Sequence, residues 1–211
     1  MNLFITFEGI DGSGKTTQLR LLQEYLLKRG IDTIIAREPG GTDVGEAIRQ
    51  ILLHSGTRDL NPLGELLLYY ASRHQNLCQN IVPALERGQW VLCDRYADAS
   101  VAYQGYGRGV DLTFIDQLNQ AVIGERLPNL TFLIDLDPAV ALARARQRNQ
   151  DRTVDEGRFE MESLSFFERV RKGYLTMARK NPERFRIVSG ELSVEDAHQK
   201  ILGWVREVEA A

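Results

Sequence analysis

The stretch FEGIDGSGKTTQ, residues 7–18, holds the residues with the clearest chemistry. Gly9 to Thr16 fits the spacing G-x-x-x-x-G-K-[ST], which builds a cradle for phosphate groups. Gly9, Gly12 and Gly14 have no Cβ, so the backbone can turn sharply and aim several N–H groups into one concavity. A helix that follows adds the positive end of its dipole and its first unpaired N–H groups. Lys15 brings an ammonium to the β- and γ-phosphates, and the Thr16 hydroxyl can ligate Mg²⁺. Gly9, Ile10, Asp11, Gly12, Ser13, Gly14, Lys15, Thr16 and Thr17 therefore form the candidate nucleotide-binding loop. The open question is where the terminal phosphate goes, to water or to a second molecule held nearby.

Three apolar runs end in an acid: FITFE at Glu8, WVLCD at Asp94 and FLID at Asp135. A carboxylate at a strand end beside a phosphate loop often holds Mg²⁺, and Asp94 is the best candidate because Arg95 follows it. Hydrolysis needs no cation there beyond Lys15, whereas an acceptor phosphate would use one. The alternative is a weak surface ion pair between the two neighbours. Residues 97–109, ADASVAYQGYGRG, are too rich in Ala, Ser and Gly for a core helix and read as a pocket wall. Small residues let a ligand approach the backbone, and Gln104 offers both a donor and an acceptor to a base edge. Tyr69 and Arg73 stand four apart on one helix face, where a ring and a guanidinium could stack on a base and bond its edge. ARARQRNQDR carries Arg144, Arg146, Arg148 and Arg152. A charge run usually faces solvent, but the helical pattern fades at residues 149–151. A basic lid over about 144–156 could close on the transferring phosphate and exclude water.

These groups need a frame. Short apolar runs at residues 3–7, 33–36, 90–93, 130–134 and 186–188 read as strands. Helical spacing covers residues 15–29, 44–54, 63–87, 112–123, 139–148, 161–179 and 194–208. The alternation predicts an α/β fold, a five-stranded parallel sheet with helices on both faces, in one domain spanning 1–211. Ligands in such sheets lie beyond the carboxyl ends of the strands. That makes residues 8–16, 37–41, 94–109, 135–138 and 189–193 the informative ones.

The 211 residues are enough for one sizeable core, and 26% charged with 43% hydrophobic is an ordinary globular balance. A net charge of −3, with a pI near 5.7, argues against broad nucleic-acid binding, which usually shows a basic excess. Cys78 and Cys93 read as two reduced thiols of a cytoplasmic chain, packed as small core residues. His54, His74 and His198 have no metal-ligand spacing. Residues 1–7 lack a signal-peptide pattern, and no apolar stretch is long enough to span a membrane.

Taken together, FEGIDGSGKTT, REPGGT (37–42), YYASR (69–73), DRYADASVAYQG (94–105), the DLDP turn (135–138) and the arginines ending in DR (151–152) resemble the thymidylate kinase family over nearly the whole chain. The resemblance implies a P-loop nucleoside monophosphate kinase fold, with ATP as phosphoryl donor, Mg²⁺ as cofactor and dTMP as acceptor. By position it implies Lys15 at the donor phosphates and Thr16 with Asp94 on the metal. Asp11 would meet the 3′-hydroxyl or phosphate region of dTMP. Arg95 would grip the acceptor phosphate, with Arg49 a second candidate. Tyr69 would stack on thymine, Arg73 and Gln104 would bond its polar edge, and Ser100 would lie near the base. Tyr103 would crowd the 2′ position, and residues 37–41 would form a mobile loop over the acceptor. Gly12 stands where some members carry a basic residue, so the catalytic arginines are expected in the lid, as Arg148 and Arg152 with Arg146 also within reach, in the bacterial arrangement. A homodimer through helices is implied as well.

Two rival classes share the loop and the sheet. A guanine-binding switch protein would carry N-K-x-D, which is absent, and the only D-x-x-G match lies inside the phosphate loop at residues 11–14. A kinase for another monophosphate differs only in the acceptor pocket.

Overall fold

FITFE is apolar at nearly every position, as a strand covered on both faces must be, and Phe4–Glu8 (β1) is buried at all five residues. The computed structural model describes residues 2–57, 59–150 and 157–210, with backbone alone at 148–150 and 210. From β1 the chain runs through Lys15–Lys28 (α1), Thr33–Arg37 (β2), Asp43–Leu53 (α2) and Pro62–Asn76 (α3). A π-helical turn, Leu77–Ile81, leads to Val82–Glu86 (α4) and Trp90–Asp94 (β3). Ala97–Ser100 (α5) passes into a second π-helical turn, Val101–Gly107, and then Leu112–Val122 (α6) and Leu130–Asp135 (β4) follow. Pro138–Gln150 (α7), a 3₁₀ turn at Arg158–Met161, Leu164–Lys180 (α8), Phe185–Ser189 (β5) and Val194–Ala210 (α9) complete it.

Among the described residues, five strands form one parallel sheet in the order β2-β3-β1-β4-β5. Each starts and ends within one residue of its expected bounds. Alternation along β1 divides the core. Leu3, Ile5 and Phe7 pack with Leu19, Leu22 and Leu26 of α1 and with Ile201, Leu202 and Val205 of α9. The opposite face sends Phe4 and Val91 against Leu77, Ile81 and Tyr96, and Leu133 against Phe166, Phe167 and Tyr174 of α8. The edge strands β2 and β5 are less buried than β1, because each has a partner on one side only. Parallel register brings Phe7 opposite Asp94 and Asp94 opposite Arg37. The carboxyl ends thus gather at the point where the strand order reverses about β1, which is where ligands bind in such sheets.

Two departures from the expected elements have local causes. The long helix expected over 63–87 is interrupted at Leu77–Ile81, because Pro83 has no N–H to continue the α-helical ladder. Residues 97–107, read as a pocket wall without helix, are helical and buried. Their small residues serve packing: a Cβ on Gly105 would come 2.5 Å from Leu112, and one on Gly107 would come 2.6 Å from Phe166. The cysteines also divide. Cys93 is buried as expected, but Cys78 is exposed; both are free thiols.

Candidate active site

The phosphate loop leaves β1 and enters α1 through Gly14, whose φ of 103° places it in the left-handed region that favours glycine. With no side chain capping it, the first N–H groups of α1 remain available to an anion. Gly12 has a φ of 84°, the sharp turn read in the sequence, and is required for a second reason as well. A Cβ there would lie 2.1 Å from the Ala141 carbonyl oxygen, so glycine lets α7, the helix that leads into the lid, press against the loop.

Lys15 is buried, and its Nζ donates to the Ile10 carbonyl at 3.0 Å. Burial first, then the Arg95 charge, lower its pKa to about 8, against the pull of Asp11, Asp94 and Glu8. Bound phosphates would raise it again. Thr16 Oγ1 donates to Asp94 Oδ2 at 2.6 Å, so the two expected metal ligands stand together at the mouth of the loop. The other acidic strand ends do different work. Glu8 is wholly buried, accepting from the Tyr96 N–H and the Tyr174 hydroxyl, both at 2.7 Å. Burial chiefly, with Asp98 adding, pushes it up to about 7, against Arg95 and these two hydrogen bonds. Asp135 forms a two-point pair with Arg171, at 2.6 and 2.9 Å.

Asp94 and Arg95 turn to different partners rather than to each other. Arg95 has a φ of 69°, the positive value of a non-glycine residue among those described, a conformation that costs about 1 kcal/mol or more. It aims the guanidinium inward, where Nη2 donates to Asp11 Oδ1 at 3.1 Å and to the Tyr103 hydroxyl at 3.0 Å. Nη1 donates to the Tyr174 hydroxyl at 3.1 Å. Asp11 also faces Lys15 Nζ at 3.8 Å. One carboxylate therefore lies between the loop cation and the cation expected at the acceptor.

Around this centre the other expected residues lie on α3, on the 97–107 segment and, for Arg49, on α2. Tyr69 packs against the cluster of Tyr103, Phe159 and Phe166. Arg73 is 1% exposed and is held at three points: Nε to Glu38 Oε2 at 2.7 Å, Nη1 to Ser100 Oγ at 3.1 Å and Nη2 to the Tyr96 carbonyl at 2.9 Å. Ser100 thus orients Arg73. Burial raises the Glu38 pKa, and Arg73 opposes it. Gln104 is also 1% exposed, and its Nε2 donates to Glu65 Oε1 at 2.7 Å. Arg49 Nη1 donates to the Pro39 carbonyl at 2.9 Å.

Residues 37–41, expected as a mobile loop, are instead tied down. Glu38, Pro39 and Gly40 are buried. The Gly40 N–H donates to Ser72 Oγ, the Gly41 N–H to Glu46 Oε1, and Asn80 Nδ2 to the Gly41 carbonyl. The lid is only partly described. Arg144 Nη1 reaches the Gly190 carbonyl and Arg146 Nη2 the Glu160 carbonyl, each at 3.2 Å. The side chain of Arg148, and Arg152 as a whole, lie outside the described residues.

The sequence reading missed Glu38, Glu65 and Tyr174, the groups that hold Arg73, Gln104 and Arg95. For Glu65 a signal existed: it is a lone acid in the apolar run PLGELLL.

A family model described as thymidylate kinase matches residues 7–201. A thymidylate kinase of Citrifermentans bemidjiense is 54% identical over 191 residues, covering 90% of this chain and 85% of that protein. One of Syntrophotalea carbinolica is 48% identical over 202 residues, covering 95% and 94%. The crystal structure of the thymidylate kinase from Ehrlichia chaffeensis superposes with a TM-score of 0.79 at 37% identity, over 97% of this chain and 98% of that one. With a phosphate loop and a second cation site sharing one carboxylate, and with these matches over nearly its full length, the chain belongs to the thymidylate kinase family.

Proposed function

We propose that the chain moves the γ-phosphate of ATP to dTMP, giving ADP and dTDP, with Lys15 and Arg95 holding the two ends of the transfer. The observation that carries this is the shared carboxylate, Asp11, 3.1 Å from Arg95 Nη2 and 3.8 Å from Lys15 Nζ. Hydrolysis has no use for the second, conformationally strained cation. An acceptor phosphate does, because phosphoryl transfer depends on positioning and on charge around the moving group. Lys15 balances the negative charge that grows on the bridging oxygen as the donor bond breaks. Arg95, with Arg49 behind it, holds the acceptor phosphate in line, and Asp11 receives the 3′-hydroxyl or phosphate region of dTMP. Tyr69 stacks on thymine, Arg73 donates to its O4, and Gln104 accepts from its N3–H. Tyr103 crowds the 2′ position of the sugar.

Thr16 and Asp94 suit Mg²⁺, which takes one or two protein oxygens and completes its shell with phosphates and water. Among the described residues no cluster of three or more His, Cys, Asp or Glu side chains could hold a metal, so the protein's share is this pair. When bound, the ion neutralises charge between the β- and γ-phosphates. Arg148 and Arg152 close from the lid over the donor side and exclude water. The chain pairs with a second copy of itself: α3 and the helices packed on either side of it, α2 and α6, expose Val44, Ile51, Leu63, Leu67, Leu112 and Phe114. The free thiols of Cys78 and Cys93 fit a reducing, cytoplasmic setting. Among the described residues no helix is long and apolar enough to cross a membrane.

The test is ADP release with and without monophosphates. Release should require an acceptor and should rank dTMP above dUMP, dUMP above UMP, and dCMP near background. Equal release without any acceptor, or efficient use of dCMP, would overturn the assignment.

A further inference from the structure

Glu65, Tyr69 and Arg73 recur every four residues on α3 and so share one face of the helix. Tyr69 and Arg73 are the proposed thymine contacts. Glu65 is fully buried, and its Oε1 accepts from Gln104 Nε2 at 2.7 Å. The other sides of the carboxylate are closed by two guanidiniums. Arg108 donates from Nε at 3.3 Å to Oε1 and from Nη2 at 3.2 Å to Oε2, and Arg158 Nη2 donates to Oε2. Arg158 is itself fixed by the Leu52 and Thr57 carbonyls, each at 3.0 Å, and Arg108 by Glu162 at 2.6 Å. Glu65 therefore has no room to turn away.

A carboxylate flanked by two guanidiniums only accepts. The end of the Gln104 amide that faces it must be the NH₂ end, because only that end donates. The amide could otherwise flip to suit either pyrimidine. Glu65 prevents that, because a flip would set the Gln104 carbonyl against a buried carboxylate. The carbonyl is left as the end for the base, an acceptor that fits the N3–H of thymine and opposes the bare N3 of cytosine. We propose that Glu65 is a specificity-determining positioning residue, which fixes the polarity of the Gln104 amide and so excludes cytosine. This rests on the reading that Gln104 meets the base.

Three variants separate the two ideas, each assayed for kcat/KM with dTMP and dCMP. In Glu65→Gln the guanidiniums hold the new carbonyl and leave its NH₂ to face Gln104, which is then no longer fixed with its own NH₂ end inward. The dTMP-to-dCMP ratio should fall at least about tenfold, since an unpaired buried polar group is what rejects the wrong base. The exchange Glu65→Gln with Gln104→Glu keeps the net charge and gives the base an acceptor again, so the ratio should return to the unaltered value. It also serves if the single variant does not fold. Gln104→Leu tests the underlying reading and should collapse the ratio. A ratio unchanged in Glu65→Gln, or lost in the exchange, while Gln104→Leu collapses it, overturns the positioning role and leaves the base reading intact. A ratio unchanged in Gln104→Leu overturns both. A purely structural Glu65 would lower both substrates together in Glu65→Gln and hold the ratio constant, which counts against the proposal.

Discussion

The phosphate loop and the proposed acceptor pocket meet at Asp11, yet they are built in opposite ways. The loop is one continuous segment whose working groups are backbone N–H donors and a single lysine, shaped by glycine conformation and by the start of α1. The pocket draws its side chains from α3, α8, the 97–107 segment and the residues that follow β2 and β3, and nearly every polar group is held by another buried group. Glu38 holds Arg73, Glu65 holds Gln104, and Tyr103 and Tyr174 hold Arg95. Donor chemistry is thus separable from the stability of the fold, whereas acceptor recognition is part of the core.

The sharpest attempt to break this contrast is on the donor side. Neutralising Arg148 or Arg152 should slow transfer by about 10³ or more, the scale of an arginine acting on a transferring phosphoryl group, with a much smaller effect on dTMP binding. Substitutions at Arg146, Arg148 and Arg152 should be unequal; three equal, mild effects in single-turnover assays would mark a solvated charge run. Lys15→Ala should lower kcat and kcat/KM together by about 10²–10³ and leave the urea midpoint close to that of the unaltered protein. A near-normal kcat with only a raised KM for ATP would remove Lys15 from the chemical step.

Arg73→Ala should do the reverse. It strands Glu38 in the core, and losing one partner of a buried pair costs about 3–5 kcal/mol, so urea unfolding should register it strongly alongside the loss of dTMP selectivity. Adding Glu38→Gln should recover part of the stability but none of the selectivity. Unaltered stability in Arg73→Ala would dissolve the distinction between the two halves. The smallest effect is in pH. Lys15 is held down to about 8 and is needed charged, so kcat/KM for ATP should be level below that pH and fall tenfold per unit above it. A profile flat to pH 9.5 would mean that Lys15 keeps its proton throughout.

Gly12 and Gln104 mark where reading the sequence succeeded and where it stopped. The loop was legible down to single residues because its physics is local: a fixed spacing of Gly, Lys and Thr dictates the turn and the donors. The strands were legible because a parallel sheet buried on both faces needs continuous apolar runs. The turn at Gly12 is legible in the loop's spacing, but the second constraint on it is not, since Ala141 is more than a hundred residues away in sequence and only the packing of α7 brings its carbonyl there. Residues 97–107 are helical against expectation, because small residues serve a close helix contact and a ligand wall equally well, and only the neighbouring Leu112 and Phe166 reveal the first. In the same way, sequence supplied Arg73, Arg95 and Gln104 as candidates, while the folded chain supplied Glu38, Tyr174 and Glu65 as their partners. Chemical identity is written in each residue, but orientation is imposed by groups that become neighbours only after folding, so the donor loop could be read from the sequence and the polarity of the acceptor pocket required the tertiary structure.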